Sequence, residues 1–331
     1  MSQVPIIDLA PYRSGTDKAS VARAVNKACE DIGFLVVSGH GVPNDLITEM
    51  EHVSHAFFDL PFQDKVKVAQ PAPDILRGYI GVAAESLSRS MGIKAAGDLN
   101  ESLMIGRPDV PETLYFRNNA AEHYFAPNLW PEIPPNLRSV WSRYYREMER
   151  LAADIMRVFA LALDVREHYF DDKIDNHISR IRVRCYPPVP ANSTPDQSRA
   201  GAHTDYGSLT ILKPQAGAGG LQVHGKDGVW TDVPDVPGSF IVNIGDLMAR
   251  WTNDRWVSTL HRVVVPNTPE ARERRRLSVV FFHNPNYDAF IECIPSCRDA
   301  DAQSKYDGAS AGDYLKAKFL SAQTGTQASV G

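Results

Sequence analysis

The feature that most constrains the fold is a series of short β-like segments in the second half of the chain. They are separated by turns rich in Gly, Pro, Asn and Asp. The segments lie at residues 179–186, 208–212, 221–223, 229–233, 240–244, 261–265 and 277–282. Many short strands at this spacing are typical of a β-sandwich or barrel. The sequence therefore predicts an all-β core after about residue 178.

Helical patterns surround this β region. Apolar residues recur at helical spacing over residues 18–30, 44–58 and 137–163, and a last helix is predicted at residues 311–322. Further short strands are predicted at residues 4–9, 33–38, 77–81 and 101–105. We expect a mixed α+β fold in which helices flank a dominant β core.

The composition excludes several classes of protein. The 331 residues carry a net charge of −5, and no basic patch is large enough for a nucleic-acid surface. No apolar run approaches the roughly 18 residues of a membrane span, and the N-terminus lacks a signal-peptide pattern. The four scattered cysteines are expected to be free buried thiols. These features predict a cytoplasmic protein without nucleic-acid or membrane partners, and they leave the oligomeric state open.

A metal site is predicted from a His-x-Asp pair and a distant histidine. His203 and Asp205 are two residues apart in a predicted strand, so their side chains can converge on one face. His261 begins another predicted strand later in the chain. Two imidazoles and one carboxylate can bind Fe(II) and leave positions open for a co-substrate and O2. A closed four-ligand site would instead indicate structural zinc.

A candidate anion site follows at Arg276 and Ser278, which share one face of a predicted strand. A guanidinium can bind a carboxylate through two hydrogen bonds, and the serine hydroxyl can add a third donor. The buried run after Arg276 means that an inward arginine needs an anionic partner. Tyr186 can supply a phenol donor to the same anion. This arrangement suits 2-oxoglutarate, with its keto-acid end on iron and its distal carboxylate on Arg276 and Ser278.

Motifs along nearly the whole chain resemble those of the isopenicillin N synthase-like branch of the 2-oxoglutarate/Fe(II) dioxygenases. They include residues 4–9 (VPIIDL), 33–42 (GFLVVSGHGV), 202–212 (AHTDYGSLTIL), 219–223 (GGLQV), 242–248 (VNIGDLM), 258–263 (STLHRV) and 276–278 (RLS). The resemblance implies a distorted double-stranded β-helix, or jelly roll, flanked by helices. It also implies iron ligation by His203, Asp205 and His261, and co-substrate binding by Arg276 and Ser278 with Tyr186 nearby.

The same resemblance implies a division of the chain and a reaction. Residues 1–115 would be an N-terminal non-haem dioxygenase region and residues 116–175 a helical connector. Residues 176–290 would be the Fe(II)/2-oxoglutarate core and residues 291–331 a C-terminal extension. The expected reaction uses O2 to oxidise an unactivated C–H bond of a small organic substrate, by hydroxylation, desaturation or ring rearrangement, with release of succinate and CO2. Ascorbate is the expected reductant in vitro.

The substrate pocket is expected beside the metal and the N-terminal strands. Its expected lining residues are Phe282, Arg77, Tyr79, Glu101 and Leu103. Three alternative functions stay open. The first is an iron oxygenase of the same fold that does not use 2-oxoglutarate, as in isopenicillin N synthase-like oxidative cyclisation. The second is an inactive jelly roll that serves as a binding module. The third, a zinc hydrolase, is disfavoured because no partnered glutamate base is evident.

Overall fold

The chain alternates short strands with helices of very different lengths. The computed structural model describes residues 4–88, 92, 96–189, 198–266, 268–298 and 304–324. The strands are β1 (Ile6–Asp8), β2 (Phe34–Ser38), β3 (Gly78–Ile80), β4 (Glu101–Ile105), β5 (Arg180–Tyr186), β6 (Ala200–His203), β7 (Leu209–Pro214), β8 (Leu221–His224), β9 (Trp230–Asp232), β10 (Phe240–Ile244), β11 (His261–Val263), β12 (Arg276–His283), β13 (Phe290–Ile291) and β14 (Ala309–Ser310). The helices are α1 (Ala10–Arg13), α2 (Lys18–Asp31), α3 (Asn44–Phe58), α4 (Phe62–Lys65), α5 (Leu114–Arg117), α6 (Asn119–Glu122), α7 (Leu137–Ala162), α8 (Asp171–Ile174), α9 (Asp246–Trp251), α10 (Pro269–Glu273) and α11 (Ala311–Thr324).

A large sheet has the strand order β1-β2-β10-β7-β12-β5-β4-β3. Its neighbouring strands are antiparallel except for β1 and β2. Directly paired residues share a face of a sheet, and successive residues alternate between the faces. Pairing of Phe282 with both Arg180 and Thr210 therefore places all three side chains on one face. We call this the inner face; the residues next to them in sequence belong to the outer face.

The outer face packs against the helices. Helix α7 is amphipathic, and its apolar side buries Trp141, Tyr145, Met148, Leu151, Ile155 and Phe159 in the main core together with outer-face residues of the sheet. Burial of each large apolar side chain contributes about 1.5–3 kcal/mol. Helices α2 and α3 add Val25 and Met50 to the same core. This helical layer covers the outer face of the large sheet. The inner face is therefore the one available for a functional site.

The inner face is covered by the small sheet, which has the strand order β6-β11-β8-β9. Phe34 and Ile241 of the large sheet pack in one apolar cluster with Val223 and Val263 of the small sheet. Two sheets packed face to face in this way form the expected double-stranded β-helix core, so the predicted mixed fold is confirmed. The four-part division of the chain stays a prediction.

One local prediction is wrong. Strand β6 ends at His203, so Asp205 lies in the loop after the strand and not on it. Strand β10 ends at Ile244 and helix α9 begins at Asp246, so Gly245 alone connects them. Gly245 makes this tight transition possible, because a Cβ there would lie 2.1 Å from the backbone oxygen of Gly207. The β10–α9 turn therefore packs directly on the loop that carries Asp205.

Candidate metal centre and cavity

His203 and His261 are direct register partners on the antiparallel strands β6 and β11. Their ring centroids are 4.3 Å apart. Asp205 approaches both rings: its Oδ1 is 3.8 Å from Nε2 of His203, and its Oδ2 is 3.9 Å from Nε2 of His261. One ligand atom from each of the three residues lies within 4.8 Å of the other two. The structure therefore brings the three predicted ligands together with a geometry that can hold one ion.

Hydrogen bonds to the backbone fix the tautomer of both imidazoles. Nδ1 of His203 lies 2.7 Å from the carbonyl oxygen of Gly201, and Nδ1 of His261 lies 3.0 Å from that of Thr259. A carbonyl oxygen can only accept, so each Nδ1–H donates. Each Nε2 is left with a lone pair facing the carboxylate, as a metal-ligating histidine requires.

Two neighbours orient the carboxylate of Asp205. The hydroxyl of Thr210 donates to Oδ2 at 2.6 Å, and the amide of Asn243 donates to the same oxygen at 2.7 Å. The amide N–H of Asp246 donates to the backbone oxygen of Asp205 at 2.7 Å. Both Thr210 and Asn243 project from the inner face of the large sheet. The loop is therefore held by the sheet below it, and Oδ1 stays available for an ion.

The charges of the cluster suit a divalent cation. Burial, followed by repulsion from His261, lowers the pKa of His203 far below its ordinary value, so the imidazole is neutral at pH 7. Burial alone would raise the pKa of Asp205, but the two histidines and the hydrogen bonds from Asn243 and Thr210 outweigh it and lower the pKa. One carboxylate and two imidazoles that each present Nε2 fit Fe(II) and leave open coordination positions.

Arg276 and Ser278 lie on the inner face, and both are 2% exposed. Nε and Nη1 of Arg276 and Oγ of Ser278 have no hydrogen-bond partner in the described part of the chain. Tyr186 is the register partner of Arg276, and its ring lies 4.9 Å from the guanidinium carbon. The structure thus brings the three predicted anion-binding residues together. Arg276 and Tyr186 are paired at one end of β12 and β5, and Ser278 is paired with Arg184.

A cavity of about 560 Å³ opens beside the three candidate metal ligands. Its lining residues include His203, Asp205 and Phe282. Phe282 therefore lies where the sequence predicted it. The other four residues expected to line the pocket do not line this cavity. The β3 and β4 residues that do line it are Ile80 and Met104. Each is one position away from a predicted residue, so the prediction chose the wrong face of these strands.

Tyr79, Glu101 and Leu103 instead lie on the outer face. Glu101 accepts hydrogen bonds from Lys65 at 2.7 Å and from Tyr79 at 2.6 Å in a buried cluster. Leu103 is fully buried in the main core. Arg77 is also buried and donates to the backbone oxygens of Ala126 and Leu76. These contacts give the four residues structural partners, so we do not assign them to the substrate pocket.

Several residues of the site were missed from the sequence. Arg180, Arg182 and Arg184 alternate along β5 and all line the cavity. The pattern Arg-x-Arg-x-Arg at a spacing of two was a usable signal, because charged side chains on one face of a buried strand must meet water, counter-ions or a ligand. Arg199, before β6, was also missed. It is 2% exposed, its Nε has no partner among the described residues, and its pKa is lowered by burial and then by Arg276.

Two other buried histidines, His283 and His40, have partners outside the candidate metal site. His283 is buried on the outer face and lies beside the hydroxyl of Ser208, with Nδ1 and Oγ 2.8 Å apart. Nδ1 of His40 accepts the amide N–H of Val42, and its Nε2 lies 2.7 Å from the carbonyl oxygen of Gly238. The described residues contain one cluster of side chains that could ligate a metal, His203, Asp205 and His261.

Comparison with known proteins supports this chemistry. The model of the 2OG-Fe(II) oxygenase superfamily matches residues 177–285, and the model "non-haem dioxygenase in morphine synthesis N-terminal" matches residues 4–133. The 2-oxoglutarate-Fe(II) type oxidoreductase hxnY of Emericella nidulans is 33% identical over 322 residues, which cover 95% of this chain and 89% of the relative.

Solved structures agree. A full-length Neurospora crassa protein in complex with alpha-KG and thymine matches with a TM-score of 0.84 and 32% identity over 96% of both chains. The protein JOX2, solved with 2OG, Fe and JA, matches with a TM-score of 0.77 and 28% identity over 95% of this chain and 84% of that one. No helix in the described part of the chain is long and apolar enough to cross a membrane. The chain belongs to the 2OG-Fe(II) oxygenase superfamily and is an Fe(II)- and 2-oxoglutarate-dependent oxygenase.

Proposed function

We propose that His203, Asp205 and His261 bind the Fe(II) ion and that Arg276, Ser278 and Tyr186 bind the distal carboxylate of 2-oxoglutarate. The observation that carries this assignment is the set of buried polar atoms on Arg276 and Ser278 that have no partner in the described chain. Burying a guanidinium without hydrogen bonds or a counter-ion is strongly unfavourable. A carboxylate placed between these side chains would satisfy Nε, Nη1 and Oγ together and would balance the charge.

Bound Fe(II) would supply O2 activation, and the protein residues would supply position, charge balance and a dry site. Thr210 and Asn243 hold the carboxylate of Asp205 so that one oxygen faces the ion. The Nδ1–H bonds of His203 and His261 keep each Nε2 in its ligating form. Arg276 would hold 2-oxoglutarate in one orientation, with its keto acid directed toward the metal. The reaction oxidises a C–H bond of a small organic substrate and releases succinate and CO2.

The cavity beside the metal is the proposed substrate pocket, with Phe282 as one wall. The ligands named for the structural relatives, thymine and JA, differ from one another, so neither is transferred to this chain. Hydroxylation, desaturation and ring rearrangement are all compatible with this pocket.

We also propose a cytoplasmic location. All four cysteines, Cys29, Cys185, Cys293 and Cys297, are free and buried. Free thiols and ferrous iron are both favoured by a reducing compartment. Fractionation of cells that express the tagged protein tests this location.

The experiment that tests the co-substrate assignment compares two neighbouring arginines. Arg276→Ala should raise the KM for 2-oxoglutarate about 10- to 100-fold, because a charge-assisted bidentate pair contributes about 1.5–3 kcal/mol. Arg275→Ala is the matched control, since Arg275 is hydrogen-bonded to Asp59 and His55 away from the inner face. Succinate release under Fe(II), ascorbate and varied 2-oxoglutarate gives the readout. Equal KM values for the two variants would overturn the assignment.

A further inference from the structure

Arg180 is the first residue of β5 and lies on the inner face beside Phe282, its register partner on β12. It lines the same cavity as His203 and Asp205. Asp205 and Tyr206 are neighbours that favour its charge. Its guanidinium therefore borders the space in which a substrate would sit next to the metal.

Two aromatic rings flank the guanidinium of Arg180. Its central carbon is 5.3 Å from the ring centroid of Phe282 and 4.8 Å from that of Phe319 on α11. Stacking over aromatic faces stabilises the cation and restricts the plane of the guanidinium. Hydrogen bonds can then form only along its edge, so a planar acceptor with two oxygens is the best match.

Within the described residues, the side chain of Arg180 forms no hydrogen bond or ion pair, unlike those of Arg182 and Arg184. Arg182 donates to the hydroxyl of Ser102 and forms an ion pair with Glu85. Arg184 donates to the side-chain oxygen of Asn100 at 3.2 Å. The inner face of β5 thus contains two arginines with polar partners and one whose N–H edge is free for a ligand.

The charge on Arg180 needs a partner. Burial, followed by repulsion from Arg77 and Arg182, lowers its pKa to about 9, so the group is still a cation at pH 7. The cavity lining includes three arginines, whereas Glu85 and Asp205 supply its carboxylates. A half-buried cation without a counter-ion is unfavourable, and an anionic ligand removes part of that cost.

This site is separate from the proposed anchor for 2-oxoglutarate. Arg180 pairs with Phe282, whereas Arg276 pairs with Tyr186 at the other end of the same two strands. Six residues of strand span roughly 20 Å. One short diacid held by Arg276 therefore does not also satisfy Arg180.

We propose that the substrate of this oxygenase is a carboxylic acid whose carboxylate is bound at its two oxygens by the edge of Arg180. The proposal rests on the function proposed above, because it takes the cavity beside the metal as the substrate pocket. Ile80, Leu87 and Met104 provide an apolar wall for the rest of the molecule. The expected class is therefore a small monocarboxylic acid with an apolar body.

The test measures binding of matched acids and amides by isothermal titration calorimetry. Protein loaded with Fe(II) and saturated with 2-oxoglutarate under nitrogen is titrated with three acids, phenylacetate, 3-phenylpropanoate and hexanoate, each compared with its primary amide. The best acid should bind at least about tenfold more tightly than its amide, because only the acid forms a charge-assisted pair. Arg180→Gln should abolish this preference, and Arg180→Lys should retain part of it, since lysine keeps the charge but loses the planar fork.

Arg262→Gln is the matched control. Arg262 also belongs to a barrel strand and also stacks on an aromatic ring, 4.0 Å from the centroid of Trp230, but it does not line the cavity. This variant should keep the wild-type acid preference. The proposal is overturned if no acid binds, if acids and amides bind equally, or if the preference survives in Arg180→Gln.

A separate titration of the Fe(II)-loaded protein with 2-oxoglutarate distinguishes the substrate proposal from the co-substrate assignment. Wild type and Arg180→Gln should bind 2-oxoglutarate with the same affinity, because its anchor lies at the other end of the strands. Normal 2-oxoglutarate binding together with absent acid preference would refute only the substrate proposal. Failure of the wild-type protein to bind 2-oxoglutarate would instead refute the co-substrate assignment on which the substrate proposal rests.

Discussion

His203 and His261 face each other as register partners across β6 and β11, although they are far apart in sequence. The small sheet therefore fixes the spacing of the two imidazoles through its backbone hydrogen bonds. Asp205 reaches the same point from the loop after β6, and Thr210 and Asn243 of the large sheet hold its carboxylate. The ligand set thus depends on both sheets, and changes in either sheet should affect metal binding.

Thr210 gives the first test of this dependence. Thr210→Val removes the hydroxyl that donates to Oδ2 of Asp205 but keeps the shape of the side chain. Loss of such a supporting hydrogen bond typically weakens metal binding about 10- to 100-fold. Thr210→Ser keeps the donor and should bind Fe(II) nearly as wild type does. Anaerobic titration calorimetry gives the affinities, and equal affinities for the valine and serine variants would refute this role.

Arg199 gives a second prediction. Its Nε is buried without a partner in the described chain, and its pKa is lowered by burial and then by repulsion from Arg276. We expect Arg199 to add a second cation at the distal carboxylate of 2-oxoglutarate. Arg199→Gln should raise the KM for 2-oxoglutarate by about tenfold, the value of one charge-assisted hydrogen bond, with kcat little changed. Arg274→Gln, at a neighbouring exposed position, should leave the KM unchanged. A fall in kcat without a change in KM would contradict a role at the co-substrate.

The candidate metal and anion residues could be picked out of the sequence because their chemistry is specific and their positions follow recognisable motifs, and the structure brings each set together. It failed at β3 and β4 for a physical reason. Both strands are buried on both faces, so no polar alternation shows which residues point inward. A choice that is wrong by one residue moves the whole strand to the other face. Tyr79, Glu101 and Leu103 were therefore assigned to the pocket, whereas Ile80 and Met104 line it.

His283 predicts a pH dependence of stability. Burial, followed by repulsion from His177, lowers its pKa well below the ordinary 6.5. The folded protein keeps this imidazole neutral, but the unfolded chain protonates it below about pH 6.5. The unfolded state then binds more protons, so the free energy of unfolding falls as the pH drops from 7 to 5, by at most about 1.4 kcal/mol per pH unit.

Urea unfolding at pH 7 and pH 5 measures this contribution. His283→Asn should lose less stability between the two pH values than wild type does. His52→Asn changes an exposed histidine on α3 and should follow the wild-type dependence. The same pH dependence in His283→Asn and wild type would show that His283 does not contribute.

Lys318 links α11 to the first residue of α9, which in turn contacts the loop that carries Asp205. Its Nζ lies 2.9 Å from Oδ2 of Asp246, and the same oxygen accepts a hydrogen bond from Thr204 at 3.3 Å. Lys318→Ala should loosen α11 and raise amide hydrogen exchange over residues 311–321 by up to about fivefold, since a partly exposed ion pair contributes about 1 kcal/mol or less. Lys316→Ala, at an exposed position of the same helix, is the control. Equal protection of α11 in the two variants would rule out this link.

Two histidines of the small sheet and Asp205 of the loop after β6 should hold one ferrous ion, and anaerobic Fe(II) titration tests this most directly. Wild type should bind a single ion per chain. His203→Ala, Asp205→Ala and His261→Ala should each lose that binding, and His224→Ala, at the end of the adjacent strand β8, should retain it. Tight binding of one ion by all three ligand variants would contradict the account.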